Sequence, residues 1–134
     1  MIVNEENISS KYDPELIQKL TMNKQIIAKI KALGDSMESR GVDYFFYTPN
    51  KKDADALAAH LKREKGYSVK VNHITEDWCV TGKSKSIRLF QADVDDWVIW
   101  MYNTGKKFNC LFDGWGTDVH KIKWFEKFKK LLGK

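Results

Sequence analysis

Phe112-Asp113-Gly114-Trp115-Gly116-Thr117 is the stretch that decides how this chain folds, because it follows an apolar run and closes an ordered series of helices and strands. Glycine permits backbone conformations with positive φ and the close approach of another segment. A tryptophan between two glycines therefore indicates a ring held by a tight turn. Such a ring either plugs the hydrophobic core at the end of a strand or belongs to a contact surface.

The segments before this stretch alternate between strand and helix patterns. Aromatic residues fill Val42–Tyr47, which ends just before Pro49 and predicts a largely buried strand. From Pro49 to Lys65 the apolar residues recur at helical spacing, with acids early and bases late, and Gly66 predicts the end of this helix. Further patterns predict strands at Tyr67–Val71, Trp78–Val80 and Phe108–Phe112, and a helix capped by Asp93 and ended by Gly105.

An additional helix precedes the first strand. Asp13-Pro14-Glu15 combines a capping acid, a proline at the first helical position and an acid in the first turn. The stretch Thr21–Asn23 leaves open whether this helix is continuous, and Gly34 predicts its end. The whole order predicts an α+β fold of the split βαβ, or ferredoxin-like, type, with an antiparallel sheet and two helices on one face.

We expect one domain over residues 1–134, because the chain is long enough for a single hydrophobic core but too short for two. Residues 1–12 are polar and patternless, which predicts a loose arm. Residues 13–119 form the predicted core, and residues 120–134 form a predicted basic amphipathic helix. No apolar run approaches the ~20 residues of a membrane span, and the start shows no secretory signal. We therefore predict a cytoplasmic protein.

The positive charge of the chain is concentrated at its end. The sequence has 23 Lys and Arg against 18 Asp and Glu, and the last fourteen residues hold six lysines and one glutamate. This segment could dock on the domain with a solvated lysine face. Other interpretations are contact with an acidic partner or a nucleic acid, and a membrane-surface or calmodulin-target-like helix. Its candidate partner-binding residues are Lys121, Lys123, Trp124, Lys127 and Lys130.

The sequence offers no positive support for an enzyme. It contains no glycine-rich phosphate loop, no GxSxG elbow and no paired-carboxylate motif. Cys79 and Cys110 form neither a CxxC pair nor a disulfide framework, and with His73 and His120 they show no standard metal-ligand spacing. We therefore predict no catalytic residues, no metal and no cofactor.

Several of these segments together resemble the RraB family (regulator of ribonuclease activity B). The resemblance covers roughly Asn23 to Thr117 and rests on Leu33-Gly34-Asp35, Arg40–Tyr47, Gly66–Val69, Trp78-Cys79-Val80 and, most specifically, Phe112–Thr117. It implies the ferredoxin-like fold and a non-catalytic regulatory protein that binds ribonuclease E. The best-known type of the family has an acidic C-terminal tail, whereas this chain ends in lysines and aromatic residues.

The resemblance and the residues together predict a protein that binds and modulates or inhibits a ribonuclease or another nucleic-acid-processing protein. We expect Asp113 and Trp115, at an exposed sheet edge, to join the C-terminal lysines in binding this protein partner. One alternative is an immunity protein that neutralises a toxin nuclease. Another is a direct RNA-binding module that uses the basic tail and aromatic residues on the strands, such as Tyr44, Phe46, Tyr67 and Trp78.

Overall fold

The computed structural model describes residues 13–120, and these residues form three helices and one four-stranded sheet. The mixed α+β class and the predicted order of elements are confirmed. The predicted arm over 1–12 and the basic helix, apart from its first residue, His120, lie outside the described residues. The elements in chain order are α1 (Pro14–Ala32), β1 (Asp43–Thr48), α2 (Lys51–Lys65), β2 (Ser68–Ile74), β3 (Asp77–Lys83), α3 (Gln91–Lys107) and β4 (Leu111–Gly116).

The sheet is antiparallel, and its strands lie in the order β2-β3-β1-β4. The central strand β1 therefore pairs with both neighbours, and Phe46 lies opposite Val80 on one side and Phe112 on the other. Among the described strands, β2 and β4 form the two edges of the sheet.

The hydrophobic core lies on one face of this sheet. Successive strand residues point to opposite faces, and in β1 the residues Tyr44, Phe46 and Thr48 are buried while those between them are only partly buried. All three helices contribute to the same buried cluster, for example through Leu16 of α1 and Val98 of α3. The prediction of a largely buried strand is therefore met on one face of β1 and only partly on the other.

Helix α2 ends before Gly66 as its sequence predicts and begins at Lys51, two residues after Pro49. Asn50 precedes the helix and its side chain accepts a 2.9 Å hydrogen bond from the backbone N–H of Lys52, which satisfies a free amide of the first turn. Gly66 ends the helix in a left-handed conformation with φ 67°, and its N–H donates to the carbonyl of Lys62.

Helix α1 runs without interruption through Thr21–Asn23. The hydroxyl of Thr21 donates to the carbonyl of Ile17 and so stays within the helix, while the side chain of Asn23 is buried. Asp13 precedes the helix as predicted, but its side chain makes no capping hydrogen bond. Its carboxylate instead pairs with Lys106 at 2.6 Å, which joins the start of α1 to the end of α3.

Both predicted ends of α3 are wrong. The helix begins at Gln91, and the carboxylate of Asp93 does not cap the helix but pairs with Arg88 at 2.9 Å. The helix also continues past Gly105 to Lys107. Gly105 serves a packing purpose, because a Cβ placed there would lie 2.8 Å from the Phe46 ring and 2.7 Å from the Cys110 carbonyl oxygen. The glycine marks close contact between helix and strand.

The predicted final strand and turn are shifted along the chain. Phe108 ends α3, and β4 runs from Leu111 to Gly116, so Asp113, Gly114 and Trp115 lie within a strand and not in a turn. The pairing of β4 with β1 changes register between Phe45 and Phe46, which leaves Asp113 as an extra residue. This bulge explains how a glycine-rich stretch remains in the sheet.

A tyrosine of β1 spans β3 to reach β2. Tyr44 lies opposite Gly82, and its hydroxyl donates a 2.7 Å hydrogen bond to the carbonyl of Ser68. A Cβ at position 82 would lie 2.8 Å from this hydroxyl and closer still to the Ser68 carbonyl. Burial raises the pKa of Tyr44, which keeps the phenol protonated as a hydrogen-bond donor.

Candidate functional site

Trp115 is part of the core. Its side chain is 7% exposed, and its indole Nε1 donates a 2.7 Å hydrogen bond to the side-chain oxygen of Asn23 in α1. Asn23 is itself 1% exposed and donates through Nδ2 to the carboxylate of Asp95 in α3 at 2.9 Å. One buried asparagine therefore joins β4, α1 and α3. The sequence gives no local signal for this three-element contact.

Asp113 lies on the opposite face of the sheet from Trp115. Its side chain is exposed, and its negative charge helps to raise the pKa of Tyr47 and of Cys79 on that face. For Tyr47, burial raises the pKa most, followed by Cys79 and then Asp113. For Cys79, burial again raises the pKa most, and Asp113 adds to it. The two sequence-predicted residues thus share an edge strand but face different surroundings.

A groove crosses the edge of the sheet between these two residues. It measures about 190 Å³, and α1 and β4 supply most of its walls. Met22 of α1 is 42% exposed beside it. No sequence pattern predicts the contribution of α1, and the only local signal is that Met22 is an apolar residue outside the buried positions of that helix. The lining residues are Lys19, Met22, Asn23, Ile26, Phe45, Phe112, Asp113, Gly114 and Trp115.

A larger cavity lies elsewhere, where α1 begins and α3 ends. It measures about 660 Å³ and is lined by Asp13, Glu15, Tyr102, Lys106 and Leu111, among others. Three of its polar side chains already pair with one another, because Tyr102 donates to Asp13 at 3.1 Å and Asp13 pairs with Lys106. Burial and the bond to Asp13 raise the pKa of Tyr102 to about 12. This cavity contains none of the residues that the sequence singled out for binding.

The chain beyond β4 is anchored by a buried ion pair that sequence analysis did not identify. Asp35 and Arg40 are 5% and 7% exposed, and their side chains are joined by two hydrogen bonds. The Asp35 carboxylate also accepts from the backbone N–H of His120 at 2.8 Å, and Arg40 donates to the carbonyl of Asp118. Hydrogen bonding to Arg40 holds the pKa of Asp35 well below its usual range.

The strand aromatics considered for stacking on RNA are mostly inaccessible. Tyr44, Phe46 and Tyr67 are 0%, 0% and 7% exposed, so their rings belong to the core. Trp78 is partly exposed, and the ring of His73 stacks on it with centroids 4.4 Å apart. The remaining predicted binding residues, Lys121, Lys123, Trp124, Lys127 and Lys130, lie outside the described residues.

The histidines and cysteines are separated in the described structure. His60 packs against the rings of Trp100 and Phe108, and His120 contacts Glu38 at 3.0 Å. Cys79 and Cys110 are buried free thiols. Within residues 13–120, no group of three or more His, Cys, Asp or Glu side chains is placed to hold a metal ion. The helices over this same range are all too short or too polar to cross a membrane.

One comparison with known proteins places the chain in a family. A family model described as RraB: Regulator of ribonuclease activity B matches residues 20–117, well over half of the chain. The matched range contains all four strands, α2, α3 and most of α1. It also contains the Asn23–Trp115 contact and the groove beside it, except for Lys19. A comparison with curated proteins found no match.

Proposed function

This chain belongs to the RraB family, regulators of ribonuclease activity, and we propose from that membership that it is a non-catalytic protein that binds a ribonuclease and modulates or inhibits it. Family membership is the observation that carries the proposal. We place this activity in the cytoplasm, where ribonucleases meet their transcripts.

We also propose that the described core has the ferredoxin-like arrangement. The order strand, helix, strand, strand, helix, strand after α1 supports this, as do the antiparallel pairing and the spatial order β2-β3-β1-β4. Within residues 13–120, such a core leaves the second face of its sheet and the edge strand β4 uncovered by a helix, and we propose that a protein partner contacts them.

For the contact with the ribonuclease, we propose the β4 edge together with the C-terminal lysines. Asp113 supports this because its carboxylate is exposed on the edge strand. Trp115 contributes by holding β4 against α1 through Asn23, so that its effect on binding is indirect. Lys121, Lys123, Trp124, Lys127 and Lys130 supply positive charge and an aromatic ring, which suit an acidic surface.

Affinity capture from the native cytoplasm tests the proposal, with and without nuclease treatment of the extract. The bait is the full chain, beside a matched variant in which Lys121, Lys123, Lys127 and Lys130 are replaced by glutamine. We expect a ribonuclease to be recovered after nuclease treatment, and the purified pair to cleave RNA at a changed rate. Recovery of RNA alone, lost with the lysines, would instead identify an RNA-binding protein. A captured toxin nuclease would identify an immunity protein.

A further inference from the structure

The groove between α1 and β4 has the form of a receptor for one side chain. We propose, on the basis of the function proposed above, that it receives an apolar side chain from an extended segment of the ribonuclease. In this arrangement a basic residue of that segment meets Asp113 and an acidic residue meets Lys19.

The size and lining of the groove suit an apolar side chain. Its volume of about 190 Å³ is below the roughly 300–1,000 Å³ of small-molecule sites. Phe45, Phe112 and Ile26 supply apolar walls. Gly114 leaves the groove open, since a Cβ built there would meet no atom within 4 Å. Met22 is 42% exposed beside it, and methionine adapts its shape to an incoming group.

The charges around the groove define the chemistry of the partner segment. Lys19 and Asp113 both line it, one on α1 and the other on β4. Neither side chain takes part in an ion pair within the described residues. Opposite charges on the two walls favour a segment of one orientation, with its base toward β4 and its acid toward α1. Such complementarity governs specificity and register at interfaces.

The position of β4 explains why the segment is extended. Among the described strands, β4 pairs only with β1 and so forms an edge of the sheet. Extended polypeptides bind along such edges and place alternate side chains in pockets. The bulge at Asp113 lies in the pairing of β4 with β1, and its extra residue brings this carboxylate to the rim of the groove.

The test measures the Kd of the captured ribonuclease for full-length variants by titration calorimetry. Met22→Glu, Asp113→Lys and Lys19→Glu alter the groove at exposed or partly exposed positions. Asp96→Lys and Lys52→Glu are matched controls, because they make the same charge changes at exposed positions that do not line the groove. We expect each groove variant to raise Kd about tenfold or more, and each control to change it by less than about twofold.

Circular dichroism melts of every variant show whether the fold is retained, and light scattering gives the oligomeric state. Groove variants that melt like the wild type yet bind as tightly would overturn the inference while leaving the proposed function intact. A wild-type dimer that the groove variants dissociate would overturn it too, in favour of a second copy as the occupant. If no ribonuclease is captured, the proposed function fails first and the inference fails with it.

Discussion

Replacement of Trp115 by alanine tests whether the indole holds the fold together or contacts a partner. The ring is 7% exposed, and its N–H donates to buried Asn23, so alanine removes both a packed ring and a hydrogen-bond donor. Truncation of a buried tryptophan to alanine costs about 3–5 kcal/mol. Domains of this kind have a total stability of about 5–15 kcal/mol. We therefore expect the variant to lose a large share of its free energy of unfolding.

The assay is urea denaturation followed by far-ultraviolet circular dichroism, since the substitution itself changes tryptophan fluorescence. Trp115→Phe separates the two contributions, because it keeps an aromatic ring but leaves the Asn23 oxygen without its donor. A buried polar group without a partner costs about 1–3 kcal/mol. Trp78→Ala is the control, and we expect it to lose less than Trp115→Ala because Trp78 is already partly exposed.

The result that would refute this reasoning is a Trp115→Ala protein that loses less than about 1 kcal/mol of stability. If such a protein also bound the ribonuclease more weakly, Trp115 would be a contact residue and not a core residue. Weaker binding in Trp115→Ala that accompanies a large loss of stability would instead support the indirect role. Trp115→Phe lacks the hydrogen bond to Asn23, so we expect it to recover only part of the stability and of the binding.

Three further predictions concern groups whose environment the structure defines. Asp35→Asn should lower stability at pH 7 by about 3–5 kcal/mol, because Arg40 stays charged and buried. The stability difference between wild type and Asp35→Asn should shrink below pH 3.8, the ordinary pKa of an aspartate. The wild type loses the stabilisation by the Asp35 carboxylate as the pH falls toward the lowered pKa of the folded protein. Urea denaturation at a series of pH values measures both effects. Gly105→Ala should destabilise the protein by about 1–3 kcal/mol, because the added Cβ would lie too close to Phe46 and Cys110. This loss is expected although alanine favours helices, and thermal melts measure it. Burial raises the pKa of Cys79, and it raises the pKa of Cys110 to about 11. Because the thiolate is the reactive form, a thiol reagent at pH 8 should label both cysteines slowly until the protein is unfolded.

Each of these predictions has an outcome that contradicts it. A constant stability difference between Asp35→Asn and wild type from pH 7 to pH 3 would show that the carboxylate does not titrate with a lowered pKa. A rise in melting temperature for Gly105→Ala would show that the helix can move away from Phe46. Rapid labelling of the folded protein by the thiol reagent would place at least one cysteine at the surface.

Sequence patterns predicted the elements whose signals are local. Helix α2 is the clearest case, because its apolar spacing, its early acids and the glycine after it all lie within Pro49–Gly66. The strand at Asp43–Thr48 was equally clear from its aromatic residues. Which face of that strand is buried could not be read, because aromatic residues occupy both faces.

The remaining features depend on residues far apart in the chain. Asn23 is polar and interrupts the apolar spacing of α1, yet it is buried because Trp115 and Asp95 complete its hydrogen bonds. Gly105 suggested the end of a helix, but the ring of Phe46 requires a glycine there. For the candidate site, the sequence indicated Asp113 and Trp115. The groove beside them could not be predicted, because it is formed only where α1 packs next to β4. A local pattern cannot carry such information.

The hydrogen bond from the Tyr44 hydroxyl to the Ser68 carbonyl depends on the register of three strands, β1, β3 and β2. The tyrosine can reach β2 only where β3 presents a residue without a side chain, and Gly82 is that residue. If β3 slid by two residues, Val80 or Ser84 would lie opposite Tyr44, and a side chain would collide with the phenol. A sheet in either of these registers would therefore lose the hydrogen bond from Tyr44 to Ser68 and gain a steric clash. The contact that stabilises the native sheet therefore also disfavours sheets in which β3 is shifted by two residues.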